Sequence, residues 1–100
     1  MTTPEDIAEA IYTIAGTLRG VEWYGFGSFF KGATTYGDID ILAVCADDAT
    51  AAHARRVLGD LCAKWPIHLV VMDQTEAEAT GFVRTEGCVD IRKLWRANST

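Results

Sequence analysis

Three groups of residues in this chain have the types and spacing to do chemistry. Asp38 and Asp40 are two carboxylates one residue apart, at the head of the apolar run Ile39 to Cys45. On an extended strand successive side chains alternate faces, so these two acids point to one side while Ile39, Ile41 and Ala43 point to the other. Two nearby carboxylates repel unless a cation bridges them. Magnesium is commonly held by one or two carboxylates together with substrate phosphates and waters. Upstream, Gly27-Ser28 closes a run rich in β-branched and aromatic residues. Glycine lets main chain approach a phosphate, the N–H groups of such a turn form an anion-binding concavity, and the serine hydroxyl adds a donor. Turn and carboxylates together suit the two ends of a magnesium triphosphate. Lys31 lies close enough to the turn to reach a phosphate, although an exposed loop lysine is the plainer reading.

Simpler roles exist for the acids. Asp38, after Gly37, suits an aspartate satisfying turn backbone groups. That role does not extend to Asp40, which lies inside an apolar run where an unpaired acid is costly. Two other glycine-rich motifs fail. At Walker spacing Gly27 is followed by Gly32-Ala33-Thr34, without lysine, and Phe30 stands where a dinucleotide fingerprint needs its third glycine.

Phe26-Gly27-Ser28, nine intervening residues, then Asp38-Ile39-Asp40-Ile41 resembles the signature of the DNA polymerase beta-type nucleotidyltransferase superfamily. The chain is similar in size and element order to the minimal nucleotidyltransferases, over about residues 4 to 85. The resemblance implies a palm-like fold in which Asp38 and Asp40 bind Mg²⁺ (or Mn²⁺) and Gly27 and Ser28 contact the phosphates of a nucleoside triphosphate. The reaction it implies is attack by an acceptor hydroxyl on the α-phosphate with loss of pyrophosphate, most simply AMP transfer from ATP to protein or RNA. It also implies a role as antitoxin to a small helical HEPN-type toxin.

The family's third carboxylate falls in the next strand, Pro66 to Met72, where this chain has His68. An imidazole there suits three roles. It can take the acceptor's proton as a general base, or it can ligate a metal and shift preference toward manganese or zinc. It can also mark a site that has lost catalysis and still binds nucleotide. A histidine on an apolar strand also suits a satisfied interior position. Asp73 has the wrong strand parity to replace the missing acid. Glu86 and Asp90 lie in the tail that the resemblance does not cover.

The elements that must carry these groups are legible. Thr3 before Pro4-Glu5-Asp6 predicts a helix start, with Ile7, Ile11, Ile14 and Leu18 as its apolar face and Gly20 as its stop. Val21–Phe26, Ile39–Cys45 and Ile67–Met72 read as strands. A short helical turn is compatible with the start of the loop after Ser28. Asp47 or Asp48 caps a helix running to about Trp65, with Ala54, Val57, Leu58, Leu61, Cys62 and Trp65 as its buried stripe. Thr75 and Glu78 have capping-box spacing, and Ile91, Leu94 and Trp95 mark a last apolar helical face. The order predicts one α/β (α+β) domain over residues 1–100, a small mixed sheet with flanking helices.

The bulk numbers agree with a small enzyme or binding module. The chain has 100 residues, 49% of them hydrophobic, and a formal net charge of −5. That acidity argues against a domain built to grip a phosphate backbone, and so against a transfer-RNA-modifying toxin. Arg84, Arg92, Lys93 and Arg96 cluster near the end and read as a solvated face. Cys45, Cys62 and Cys88 match no metal or redox spacing and read as reduced, mostly buried thiols. Residues 1–6 have neither a basic start nor an apolar run, and no stretch reaches transmembrane length, so a cytoplasmic protein is expected. If catalysis is lost, Trp23, Phe29, Phe30 and Trp95 are candidates for an aromatic protein-docking patch, with core positions as the plainer reading. A sheet edge in so small a domain also leaves room for homo-oligomers.

Overall fold

A computed structural model describes the backbone of residues 2–16 and 18–98 and the side chains of these residues up to Arg96. The elements run α1 (Pro4–Ala15), β1 (Val21–Phe26), α2 (Gly27–Phe30), β2 (Ile39–Cys45), α3 (Asp48–Cys62), β3 (Ile67–Asp73), α4 (Gln74–Thr80), α5 (Phe82–Thr85), β4 (Val89–Asp90) and α6 (Ile91–Asn98). Among the described residues the strands form one mixed sheet in the order β3-β2-β1-β4. β1 is antiparallel to β2 and β4, whereas β2 and β3 are parallel and joined through α3. Parallel neighbours need such a crossover, and the long helix supplies it.

Each strand presents two faces, and both are covered. Trp23, Ile39, Ile41, Ala43 and Cys45 face a layer built from Ile7, Ala8 and Ile11 of α1, Ala54, Val57, Leu58 and Leu61 of α3, and Ile91 of α6. Burying each isoleucine, leucine or valine among them stabilises by about 1.5–3 kcal/mol. On the reverse face Phe26, Leu42 and Val44 pack with Tyr24, Val70 and Met72 and under Ala77, Phe82 and Val83 of α4 and α5. Phe26 and Phe82 meet edge to face at 5.1 Å. The parity that buries Leu42 and Val44 on this second face places Asp40 there too, at the end of the row.

Several sequence expectations need correction. Helix α1 begins with the expected Thr3 cap, completed by Asp6, but it ends at Ala15 with Gly16 as C-cap. Gly20, the expected stop, instead has φ +81° just before β1. The buried stripe of α1 is Ile7, Ala8, Ile11 and Ala15, which turns Ile14 outward at 44% exposure. Helix α3 ends at Cys62, whose side chain is exposed, and Trp65 packs from the turn beyond. The capping box of α4 is Asp73 with Glu76, not Thr75 with Glu78. β3 runs one residue further than expected and passes into α4 without a loop, so its last residue becomes the cap. The tail adds β4 against β1, an element too short to carry its own sequence signal.

Candidate functional site

The Gly-Ser turn and Asp40 meet where β1 ends. Phe26 pairs with Asp40 across the antiparallel β1–β2 register, so Gly27 leaves the sheet beside the carboxylate. Gly27 has φ +78°, the left-handed region that favours glycine. A Cβ at Gly27 would collide with Asp40 Oδ2. The close approach and the backbone conformation thus demand glycine independently.

On the other side, β2 and β3 are parallel with Asp40 opposite His68. His68 Nδ1 lies 3.1 Å from Asp40 Oδ1. The Asp40 side chain is 24% exposed and that of His68 is 61% exposed, so the pair opens to solvent. With Nδ1 donating to the carboxylate, a neutral imidazole keeps its lone pair on the outer Nε2.

Helix α2 is a single turn. Lys31 N–H and Ala33 N–H donate to Ser28 O at 3.1 and 3.0 Å, and Gly32 N–H donates to Phe29 O at 3.3 Å. Phe29 is the buried anchor of this turn and meets Phe30 at 5.1 Å and Tyr36 at 4.7 Å. Those rings tie both ends of the segment from 29 to 36 to the core. Ser28 and Lys31 are exposed, and Lys31 caps the C-terminal end of α2. No side chain caps the N-terminus of α2.

Asp38 differs from expectation, since β2 begins at Ile39 and Asp38 lies exposed in the segment before it. Among the described residues no cluster of three His, Cys, Asp or Glu side chains is arranged to hold a metal ion. Of the two acids predicted to hold a metal, Asp40 is the one held beside the turn, at a cradle that a Cβ would fill, and a carboxylate is a donor type that suits magnesium. Neither tail acid completes the set. Asp90 is opposite Tyr24 on β4, with β1 between it and Asp40, and accepts a hydrogen bond from Arg92 N–H at 2.9 Å. Glu86 is exposed beyond α5. Asp73 is committed to its cap, accepting from Glu76 N–H at 2.7 Å.

Neither Tyr24 nor Cys45 belongs to this turn, whereas Cys88 packs against the cluster that contains Phe26 and feels the charge of Lys31. Burial, with a hydrogen bond from its hydroxyl to Glu22, pushes the Tyr24 phenol up to about 12. Burial also raises the Cys45 and Cys88 thiols, which keeps them protonated and inert. Of the four proposed aromatics, Trp23 and Phe29 are core, at 2% and 3% exposure, and Phe30 and Trp95 are half-buried. No helix among the described residues is long and apolar enough to cross a membrane. A scan of protein-family models and a search of curated protein sequences find no match to this chain.

Proposed function

We propose that this chain is a nucleotidyltransferase-type domain that binds a nucleoside triphosphate, ATP before others, and transfers AMP to a hydroxyl of a protein or RNA acceptor. The observation that carries the reading is the convergence of Gly27, Asp40 and His68, from three different strands' ends, on one open patch of the sheet. A small α+β domain with a mixed sheet and flanking helices is compatible with a palm-like nucleotidyltransferase fold. Asp38 and Asp40 would hold Mg²⁺ or Mn²⁺, which when bound neutralises phosphate charge. The main chain at Gly27 and Ser28, the Ser28 hydroxyl and Lys31 would contact phosphates. In the transfer the acceptor oxygen bonds to the α-phosphorus, the α–β anhydride bond breaks, and pyrophosphate leaves. The acceptor's proton passes to His68 Nε2. The acceptor would be a protein of the HEPN-toxin type, as the family resemblance implies.

Calorimetric titration with each nucleoside triphosphate, in magnesium, in manganese and in EDTA, tests the reading. Metal-dependent binding of one triphosphate by the wild type, lost in Asp40→Asn, is the expected result. Absence of binding under every condition would sink it.

A second reading, a degenerate domain that binds nucleotide or a protein without turnover, is favoured by His68 itself, which occupies one of the two Asp40 oxygens. His68→Asp restores three carboxylates. Under the first reading it makes thermal stability depend on magnesium, because unbridged acids repel, and it raises transfer. Under the second, neither protein transfers a nucleotide, with or without magnesium. Asp38→Ala and Asp40→Ala likewise abolish the function of an enzyme and leave a docking module intact.

A further inference from the structure

β3 is the last strand of the sheet on one side, and no described strand pairs with its outer edge. Natural edge strands are usually blunted by lysine, proline or a bulge. Ile67–Asp73 has none of these, and its register against β2 is unbroken over all seven residues. Leu69, Val70, Val71 and Met72 are only half-buried.

The main-chain groups on that edge can be assigned. Ile39 N–H donates to Pro66 O at 2.9 Å, so even-numbered residues of β3 turn their amides toward β2 and odd-numbered residues turn theirs outward. Of the odd residues, Ile67 N–H donates to Trp65 O at 2.8 Å, and its carbonyl receives the Cys62 thiol at 3.8 Å. Asp73 N–H donates to Glu76 Oε1 at 3.2 Å. Among the described residues nothing pairs with the N–H and C=O of Leu69 and Val71, which are left for a strand of another chain.

We propose that β3 pairs antiparallel with β3 of a second copy, about a two-fold axis through Val70. In that register Leu69 lies opposite Val71 of the second copy, and each such pair exchanges two N–H···O bonds. The resulting four bonds use every open group on both edges. Centring the pair on Leu69 or on Val71 instead sets open groups against Ile67 or Asp73, whose N–H groups are already spent. No like charges oppose each other, since His68 faces Met72 and Asp73 faces Ile67. Each acidic strand end, Asp73 and Glu76, comes to the end of the partner strand where Lys64 lies, although the chain as a whole is acidic. This self-complementarity of hydrogen bonds and charge selects a second copy over an unrelated strand. The pairing does not depend on the nucleotide site.

Sedimentation velocity from about 1 to 500 µM tests it, because so short a ladder implies a dissociation constant on the order of tens of micromolar. The wild type is expected to pass from monomer to dimer over this range. Val71→Pro removes only an outward N–H and leaves the bonds to β2, so it should stay folded by circular dichroism and dimerise at least tenfold more weakly. Val70 is its own partner at a non-hydrogen-bonded position, where Cα atoms lie about 4.5 Å apart. Val70→Cys in a Cys62→Ser background should therefore cross-link with oxidised glutathione, whereas Ala52→Cys on the exposed side of α3 should not. A wild type that stays monomeric, a dimer that persists in folded Val71→Pro, or Val70→Cys that does not cross-link would each overturn the proposal. Capture of an extended foreign peptide by β3 without self-association would do so as well.

Discussion

Asp40 is held from two sides by residues that have little else in common. Gly27 yields space to one carboxylate oxygen, and His68 meets the other. Because His68 is 61% exposed, its pair with Asp40 contributes little to stability, and its value lies in orientation. Gly27 is different. Gly27→Ala imposes a left-handed backbone on alanine, at about 1–2 kcal/mol, and drives a methyl into Asp40. Gly32 has φ +89° with nothing within 4 Å of a built Cβ, so Gly32→Ala carries the backbone cost alone. Urea unfolding of the two variants should show Gly27→Ala the less stable, and only Gly27→Ala should weaken triphosphate binding. Equal losses would mean that the approach to Asp40 is slack.

Two helices that flank the parallel pair are started by aspartates at strand ends. Asp47 accepts from Thr50 Oγ1 at 2.6 Å and from Thr50 N–H at 2.7 Å, and those bonds hold its carboxyl below the usual range. A lowered folded value stabilises above the unfolded carboxyl pKa, near 4, and the gain is lost as pH falls through the folded value. Asp47→Ala should therefore be less stable than the wild type at neutral pH. The gap should close as unfolding is followed from about pH 5 downward. A gap constant across that window would remove the carboxylate from the account of the cap.

The molecule as a whole depends on its tail. β4 extends the sheet beyond β1, and α6 returns over α1, where Tyr12 and Trp95 stack at 4.9 Å. Ile91 is fully buried at the junction of these elements. Ile91→Ala should cost about 2–5 kcal/mol, a large share of what a domain this size has, and lower the midpoint of urea unfolding without changing its slope. A loss below about 0.5 kcal/mol would mean that residues 89–98 are an appendage, not part of the domain.

Local physics made much of this chain legible in its sequence. Val21–Phe26 and Ile39–Cys45 are fixed by β-branched and aromatic runs between turn residues, and Thr3, Pro4 and Asp6 start α1 through side chains within one turn of one another. The candidate residues were legible because glycine before serine and an acid inside an apolar run each need an unusual reason. Ile14, Cys62 and Thr75 depart from helical periodicity and capping patterns because those patterns say what a segment can do, while neighbouring elements decide where it stops. Only the tertiary structure set His68 against Asp40, because parallel register is a relation between strands 28 positions apart. It alone separated Asp90 from the carboxylate it was a candidate to assist, since strand order places β1 between them. Residue type and short-range spacing belong to the chain, but which side chains face one another is decided by packing, register and the order of strands.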